Sequence, residues 1–452
     1  MDSVPDLLSR PEGKTLEFKR DLSSPDGLIR TIVAFANGAG GTVLVGVEDR
    51  TRAVLGLPEP QKEVERLVNL VSDRIEPRLA PDVEVLPWRD THVVVVHVFP
   101  SPSRPHCVKR LGPEAGTFVR IGASTRRADP AQIEELRRFS RGGTFDEETR
   151  PEFDTEAVDF QGASECFAPV RVLRRADLRT LGLTVLHQGR EVPTNGGILL
   201  FGVKRADVFP ESVLRAGCFS GTDRSEILDS AEVSVVLPLA VEEVLRFVAR
   251  NTRRALRVNG ARHEEVPEYP ILAVREAITN AIVHADYAQR GSPLRVAIFT
   301  DRIEVDNPGG LLPGLAIPDI RRGVSKLRNR VIGRVFHELR LIEQWGSGIP
   351  RMVRACREAG LPEPVFEELG AGFRVTLFRV PTGGPELDAL DQSVLEFVRQ
   401  SGGASTKEIA AKSDRTARTM RTRLRRLVDL GLLVVVGKGP RDPHRVYHVG
   451  RR

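Results

Sequence analysis

Cysteine, methionine, tryptophan and tyrosine are scarce in this chain: four, three, two and three among 452 residues. Cys107, Cys166, Cys218 and Cys356 are scattered, with no CxxC pair, which argues against a zinc ribbon or a disulfide framework. Long apolar runs are missing too. The strongest, residues 91–99 (THVVVVHVF) and 197–203 (GILLFGV), fall well short of the roughly 20 residues that a membrane-spanning helix needs. The opening MDSVPDLLSRPEGK has no basic stretch followed by an apolar core, so it does not read as a secretory signal. The expectation is a soluble, cytoplasmic protein without a membrane partner. No GxxxxGK[ST] occurs, which excludes a Walker-type helicase motor, and no internal repeat is visible. Hydrophobic residues make up 40% of the chain, too many for bulk disorder. At roughly 100–200 residues per domain, the length predicts two to four domains.

Charge is distributed unevenly. The chain has 67 basic and 61 acidic residues, a formal +6, but residues 386–452 alone hold 14 basic and 8 acidic ones. The preceding 385 residues balance, so the attraction for a polyanion is concentrated in the tail. Turn-rich breaks at 140–151 (SRGGTFDEETRP) and 381–385 (PTGGP), with a softer one near 259–269, divide the chain into segments 1–142, 143–384 and 385–452.

In the first segment the pattern predicts a strand at 15–18, an amphipathic helix at 28–37, a buried strand at 42–47 after a glycine turn, a helix through Val64, Leu67, Val68, Val71 and Ile75, and a β-branched strand at 93–99. Glu12, Glu17 and Asp49 with Lys19 nearby are the residue types that hold a divalent cation and polarise a phosphodiester, although acidic residues near a turn are common. The run Glu12-x4-Glu17-Phe18-Lys19, then AFAN at 34–37, GGTVLVGV at 40–47, Asp49, RPHCVK at 104–109 and GTFVRIGASTRR at 116–127, resembles the Schlafen/AlbA-type nucleic-acid-binding domain over about residues 12–138. The resemblance implies DNA or RNA binding. In Schlafen nucleases the positions matching Glu12, Glu17 and Asp49 carry metal-dependent RNA cleavage between two lobes. This chain shows one lobe, so cleavage implies a homodimer. The alternative is binding without cleavage, with Glu17 and Lys19 as a structural ion pair.

In the middle segment, residues 271–287 (ILAVREAITNAIVHADY) have an apolar side and a polar stripe, Glu276, Asn280 and His284, at i, i+4 and i+8. The plain reading is a solvated amphipathic helix. The same spacing also suits a helix lining a nucleotide pocket, where the Asn oxygen reaches Mg²⁺ between phosphates and the Glu orients a water. A strand predicted at 294–305 runs into Asp306-Asn307-Pro308-Gly309-Gly310, where a polar side chain can read an adenine edge. Gly346-Ser347-Gly348 opens a helix at 349–359, a setting that suits phosphate, and 373–377 supplies a closing strand.

These pieces resemble the Bergerat (GHKL) ATP-binding fold, in the divergent form that follows Schlafen/AlbA-type domains in bacterial regulators. With 193–202 (PTNGGILLFG), 221–229 (GTDRSEILD) and 237–251, the likeness spans about residues 171–379. It implies ATP and Mg²⁺ as cofactors, with Asn280 toward Mg²⁺ and Glu276 toward hydrolysis. His284 would lie beside them, and Asp306 or Asn307 would face the base. Gly309 and Gly310 then form the first glycine box, Gly346, Ser347 and Gly348 the second, and Asn329 lies in a lid at 328–333 (RNRVIG). Pro308 interrupts the usual Asp-x-Gly-x-Gly, so binding is better supported by these residues than hydrolysis.

The tail reads as a helix at 388–400, a capping box Ser405-Thr406-Lys407-Glu408 opening a second helix, and a third capped by Ser413. Strands at 434–436 and 445–449 flank a wing at 437–444. Three helices and a hairpin make a winged helix-turn-helix. Arg415, Arg418, Arg421 and Arg425 on its third helix, with Lys438 and Arg441 on the wing, suit phosphate contact and groove insertion on duplex DNA. The fold class expected is multidomain α+β, namely a Schlafen/AlbA-type α/β domain, a Bergerat-type α/β sandwich and a winged helix. The expected function is an ATP-binding, DNA-binding transcriptional regulator whose nucleotide state modulates nucleic-acid binding. One alternative is an ATP-gated, metal-dependent nuclease acting on RNA or single-stranded DNA. The other is an interaction scaffold with a degenerate pocket.

Overall fold

The structure, a computed structural model, describes residues 3–49, 51–259, 262–343, 346–379, 389–413, 415–429, 432–436 and 446–449. Two compact units are present, Met1–Arg379 and Val380–Arg452. Among the described residues no helix is long and apolar enough to cross a membrane.

The first unit opens with a four-stranded sheet in the order Leu16–Lys19, Gly41–Val45, Thr91–Val98, Asp82–Trp88. The first two strands are parallel and joined through helix Pro25–Asn37; the other pairings are antiparallel. The valine run in Thr91–Val98 reflects burial on both faces. Val94, Val96 and Val98 pack with Val43 and Val45 under helices Pro25–Asn37 and Pro60–Arg74, while Val93 and Val95 pack with Leu44 and Phe18 on the other face. A strand alternates sides with period two, so apolar residues at consecutive positions require cover on both.

The first compact unit runs on through the stretch 140–151. Asp146 is fully buried, and its carboxylate accepts from the backbone amides of Arg330 (3.1 Å) and Ile332 (2.9 Å). Those amides belong to the first turn of helix Arg330–Glu338 and lack intrahelical partners, and a negative charge suits that helix end. Burial pushes the Asp146 carboxyl up to about 6.

A six-stranded sheet follows, in the order Ile227–Val233, Leu214–Phe219, Arg295–Ile298, Arg302–Pro308, Gly372–Phe378, Val365–Leu369. The single strand predicted at 294–305 is instead a hairpin. Ile298 pairs with Ile303, and Phe299 N donates to Arg302 O (2.8 Å) across a Thr300-Asp301 turn that the apolar pattern on either side concealed. Helix Ile271–His284 packs on strand Arg302–Pro308 and between helices Leu237–Asn251 and Gly348–Glu358. It is buried nearly all round, which overturns the solvated-helix reading.

The second unit has helices Ala389–Gln400, Thr406–Lys412 and Ala417–Asp429 and a three-stranded sheet ordered Ala404–Ser405, Val446–Val449, Leu433–Val436. Val394, Val398, Ile409, Met420, Leu424 and Leu427 form its core with Leu433 and Tyr447. The Ser405–Glu408 capping box is present. Ser413 ends the second helix rather than capping the third; Thr416 takes that place, its hydroxyl accepting from Thr419 N (3.3 Å). The wing at 437–444 lies outside the described residues.

Candidate functional site

The polar stripe of helix Ile271–His284 faces a cavity rather than solvent. Glu276, Asn280 and His284 line it together with Asn307, Gly309, Gly310, Gly346 and Gly348. Three stretches far apart in the chain therefore meet at one place. A loop through Leu311, Leu312, Leu315, Ile320 and 324–328 covers the cavity, and Phe366, Phe373 and Val375 close its sheet side.

Among the described residues the Asn280 amide has no hydrogen-bond partner. Glu276 is buried and receives Arg351 Nη2 at 2.7 Å. Burial raises its carboxyl above the usual range, while Arg351 pulls the other way. Arg351 also bonds Glu343, so it ties the two acids together. Burial pushes the His284 imidazole down to about 4, with the Arg328 charge adding to the effect, so the ring is neutral at pH 7.

The glycines serve close approach. A Cβ on Gly348 would meet Glu276 Oε2 at 2.6 Å and Asn280 Nδ2 at 3.4 Å, so any side chain there would push into the polar stripe. Gly346 has φ +64°, and a Cβ would fall 2.0 Å from the Gly323 carbonyl. Gly309, with φ +90°, passes between Asp286 and the Arg328 guanidinium.

Three residues read from the sequence as contacting the nucleotide lie elsewhere. Asp306 occupies the face of its strand opposite Asn307, where Arg374 holds it at 2.6 and 2.9 Å and Arg224 at 3.1 Å. Period-two alternation permits only one of the pair to face the cavity. Asn307, buried, is the one, and its Nδ2 donates to the Pro308 carbonyl (3.0 Å). Asn329 is fully buried and donates to the carbonyls of Val283 (2.9 Å) and Ala285 (2.7 Å), so it clamps the end of the Asn280 helix. Ser347 does not line the cavity; its hydroxyl donates to Glu343, which does, at 2.8 Å. Conversely, Lys326 and Arg351 line the cavity and were not singled out, and Arg328, the first residue of the stretch read as a lid, lines it too. Arg351, one turn after Gly348, was the one with a readable signal: a cation in the first turn after a glycine box.

In the N-terminal sheet, Glu12, Glu17 and Asp49 do come close. Glu12 accepts from Phe18 N at 2.7 Å. Burial, with the Asp49 and Glu17 carboxylates adding to it and the Phe18 amide opposing, pushes Glu12 up to about 7. Glu17, however, is occupied on one oxygen by Lys19 and on the other by the buried Arg120. Arg120 is itself fixed by the Gly13 carbonyl (3.0 Å) and the Thr125 hydroxyl (3.0 Å). Among the described residues no group of three or more His, Cys, Asp or Glu is arranged to hold a metal ion. Both oxygens of Glu17 are thus engaged by cations in this arrangement.

In the second unit Arg415, Arg421 and Arg425 are exposed. Arg421 and Arg425 lie on helix Ala417–Asp429, as does Arg418, whose side chain is not described; Arg415, read as part of that helix, precedes its first residue, and Lys438 and Arg441 fall outside the described residues. Arg423 turns inward, donating to the fully buried Asp391 at 2.6 Å, and Arg426 lies 3.6 Å from the same carboxylate. Those two hold the third helix to the first.

Three family models match the chain. Residues 12–129 match the model described as "Schlafen, AlbA_2". Residues 291–377 match HATPase_c_4, described as "Putative ATP-dependent DNA helicase recG C-terminal". Residues 387–434 match "Winged helix-turn-helix DNA-binding". No curated protein matches. Among solved structures, the DIP2311 protein from Corynebacterium diphtheriae is 20% identical, with 98% of this chain and 95% of that chain covered and a TM-score of 0.45. The N-terminal domain of a RecG-related protein from Nitrosomonas europaea is 27% identical over 28% of this chain and 94% of its own, with a TM-score of 0.23.

Proposed function

We propose that this chain, which carries a Schlafen/AlbA-type domain, an ATPase-like domain and a winged helix-turn-helix in that order, is a cytoplasmic ATP-binding, DNA-binding regulator whose nucleotide state sets its hold on nucleic acid. The observation that carries this reading is the single cavity onto which the Asn280 helix and both glycine boxes converge. Its apolar wall, Leu312, Leu315, Ile320 and Phe373, suits a planar base, with Asn307 beside it. Asn280, Lys326 and Arg328 supply the amide and the cations that a polyphosphate requires.

Mg²⁺ fits this arrangement as a passenger of the nucleotide. It keeps several waters and binds substrate phosphates with one or two protein ligands, and the unpartnered Asn280 amide is such a ligand. Bound there, the ion would neutralise phosphate charge. Glu276 is the residue placed to orient a water, but its ion pair with Arg351 restrains it, so binding is expected to outlast hydrolysis. No Walker motif accompanies the match to a recG family, so the proposed role is regulation rather than translocation. Duplex DNA is assigned to the winged helix and DNA or RNA to the N-terminal domain, with a second copy of the chain as the source of a second lobe.

Calorimetry with ATP–Mg²⁺ on the wild type and Asn280→Ala tests the pocket. Saturable binding that the substitution weakens at least tenfold is expected; absence of binding in both would leave only a scaffold role. Duplex affinity measured with and without ATP then tests the regulation, and equal affinities would refute it.

A further inference from the structure

The outer side of the cavity loop is held by the N-terminal domain. Arg328, whose side chain is 6% exposed, lines the cavity. One side of its guanidinium bonds the Gly310 carbonyl at 2.5 Å, and the other is ion-paired with Glu135 on helix Pro130–Ser140. Asp286, just past the end of the Asn280 helix, lies 3.8 Å away. Lys14 donates to both oxygens of Glu368 at 2.6 Å, and Glu368 in turn accepts from Leu311 N at 2.9 Å. Gly314 N donates to the Gly38 carbonyl at 3.0 Å. Lys326 sits over the Phe139 ring at 5.7 Å.

We propose that Arg328 is shared between two alternative partners, the nucleotide phosphates and Glu135, so that a bound nucleotide loosens the N-terminal domain's hold on the cavity loop. This rests on the nucleotide reading and names the residue through which occupancy is transmitted. A carboxylate and a phosphate compete for the same planar donors, and the phosphate brings more charge. Arg351 cannot serve this purpose, because both of its acidic partners, Glu276 and Glu343, belong to the ATPase-like domain. Of the cavity's arginines, Arg328 is the one whose partner lies on the other domain. Once Arg328 turns to phosphate, the partly exposed Glu135 carboxylate loses the guanidinium that ties its helix to the cavity loop, and that contact between the helix and the loop is released. Lys14 extends the consequence, since it sits between Glu12 and Glu17 in the motif that resembles a nucleic-acid-binding one. Because the two sites share one equilibrium, a nucleic acid that frees Glu135 must tighten ATP by the same factor as ATP tightens it.

The test uses the full chain and ATP–Mg²⁺. Glu135→Gln keeps the shape and removes the competing charge, so ATP affinity should rise about tenfold, and Lys14→Met should raise it less. In the wild type, ATP should reduce the hydrogen-exchange protection of helix Pro130–Ser140. If the wild type binds ATP but both variants bind it equally tightly and exchange in that helix is unchanged, the shared-arginine idea is overturned while the nucleotide reading stands. If the wild type binds no ATP, the nucleotide reading itself fails. Should Glu135→Gln not fold, the wild-type exchange measurement and Lys14→Met decide the matter.

Discussion

Asn329 and Asn280 separate a structural asparagine from a ligand-binding one. Replacing Asn329 by Ala removes two donated hydrogen bonds, to the carbonyls of Val283 (2.9 Å) and Ala285 (2.7 Å), at a fully buried position. Val283 belongs to the last turn of its helix, where carbonyls have no later amide to accept from. Each carbonyl left without a donor costs about 1–3 kcal/mol, so the variant should lose about 2–6 kcal/mol in total. At about 2–4 °C per kcal/mol for large domains, its melting point should fall by about 4–24 °C. Asn280→Ala removes a half-buried amide without a partner among the described residues, so its stability should change by less than about 0.5 kcal/mol. Its effect should appear in ATP affinity instead. Differential scanning calorimetry and titration calorimetry on both variants read the two quantities. An Asn329→Ala protein that melts like the wild type yet loses ATP would refute the clamp and return Asn329 to the phosphates.

Gly348→Ala should abolish detectable ATP binding with little change in melting, because its methyl group would press on Glu276 and Asn280; undiminished affinity by titration calorimetry would contradict the close approach. The His284 imidazole is held near pKa 4, below its unfolded value of about 6.5. Its depressed folded value contributes stability that is complete above about pH 6.5 and disappears as the pH falls through 4, at most about 3 kcal/mol. Denaturant melts from pH 7 to 4 should therefore be flatter for His284→Gln than for the wild type. Arg421→Ala and Arg425→Ala should each weaken duplex binding and lower the slope of log K against log salt by about one, whereas an unchanged slope would take those side chains off the phosphates. Asp391→Ala removes the buried carboxylate that Arg423 and Arg426 reach and should cost about 1.5–3 kcal/mol in the winged unit, seen as a lowered unfolding midpoint.

Much of the local structure is legible because it depends on spacing within a few residues. The valine run at 93–98, the Ser405–Glu408 cap and the i, i+4, i+8 stripe of Glu276, Asn280 and His284 are each set by the period of the element that carries them. The same logic requires Asp306 and Asn307 to face opposite ways. Only the six-stranded sheet decides that Asn307 faces the cavity, since that depends on which side the Asn280 helix covers. The hairpin at Thr300-Asp301 was concealed because the apolar residues on both sides read as one strand.

What the sequence by itself determined is the set of modules and the motifs that carry them, since those depend on residue type and short-range order. Tertiary structure decided the partners. Arg120 occupying Glu17, Asn329 clamping Val283 and Ala285, Arg351 restraining Glu276 and Arg328 reaching Glu135 join residues distant in the chain. A buried charge or amide is defined by whichever group reaches it first, and that depends on how separate elements pack, which no local pattern encodes.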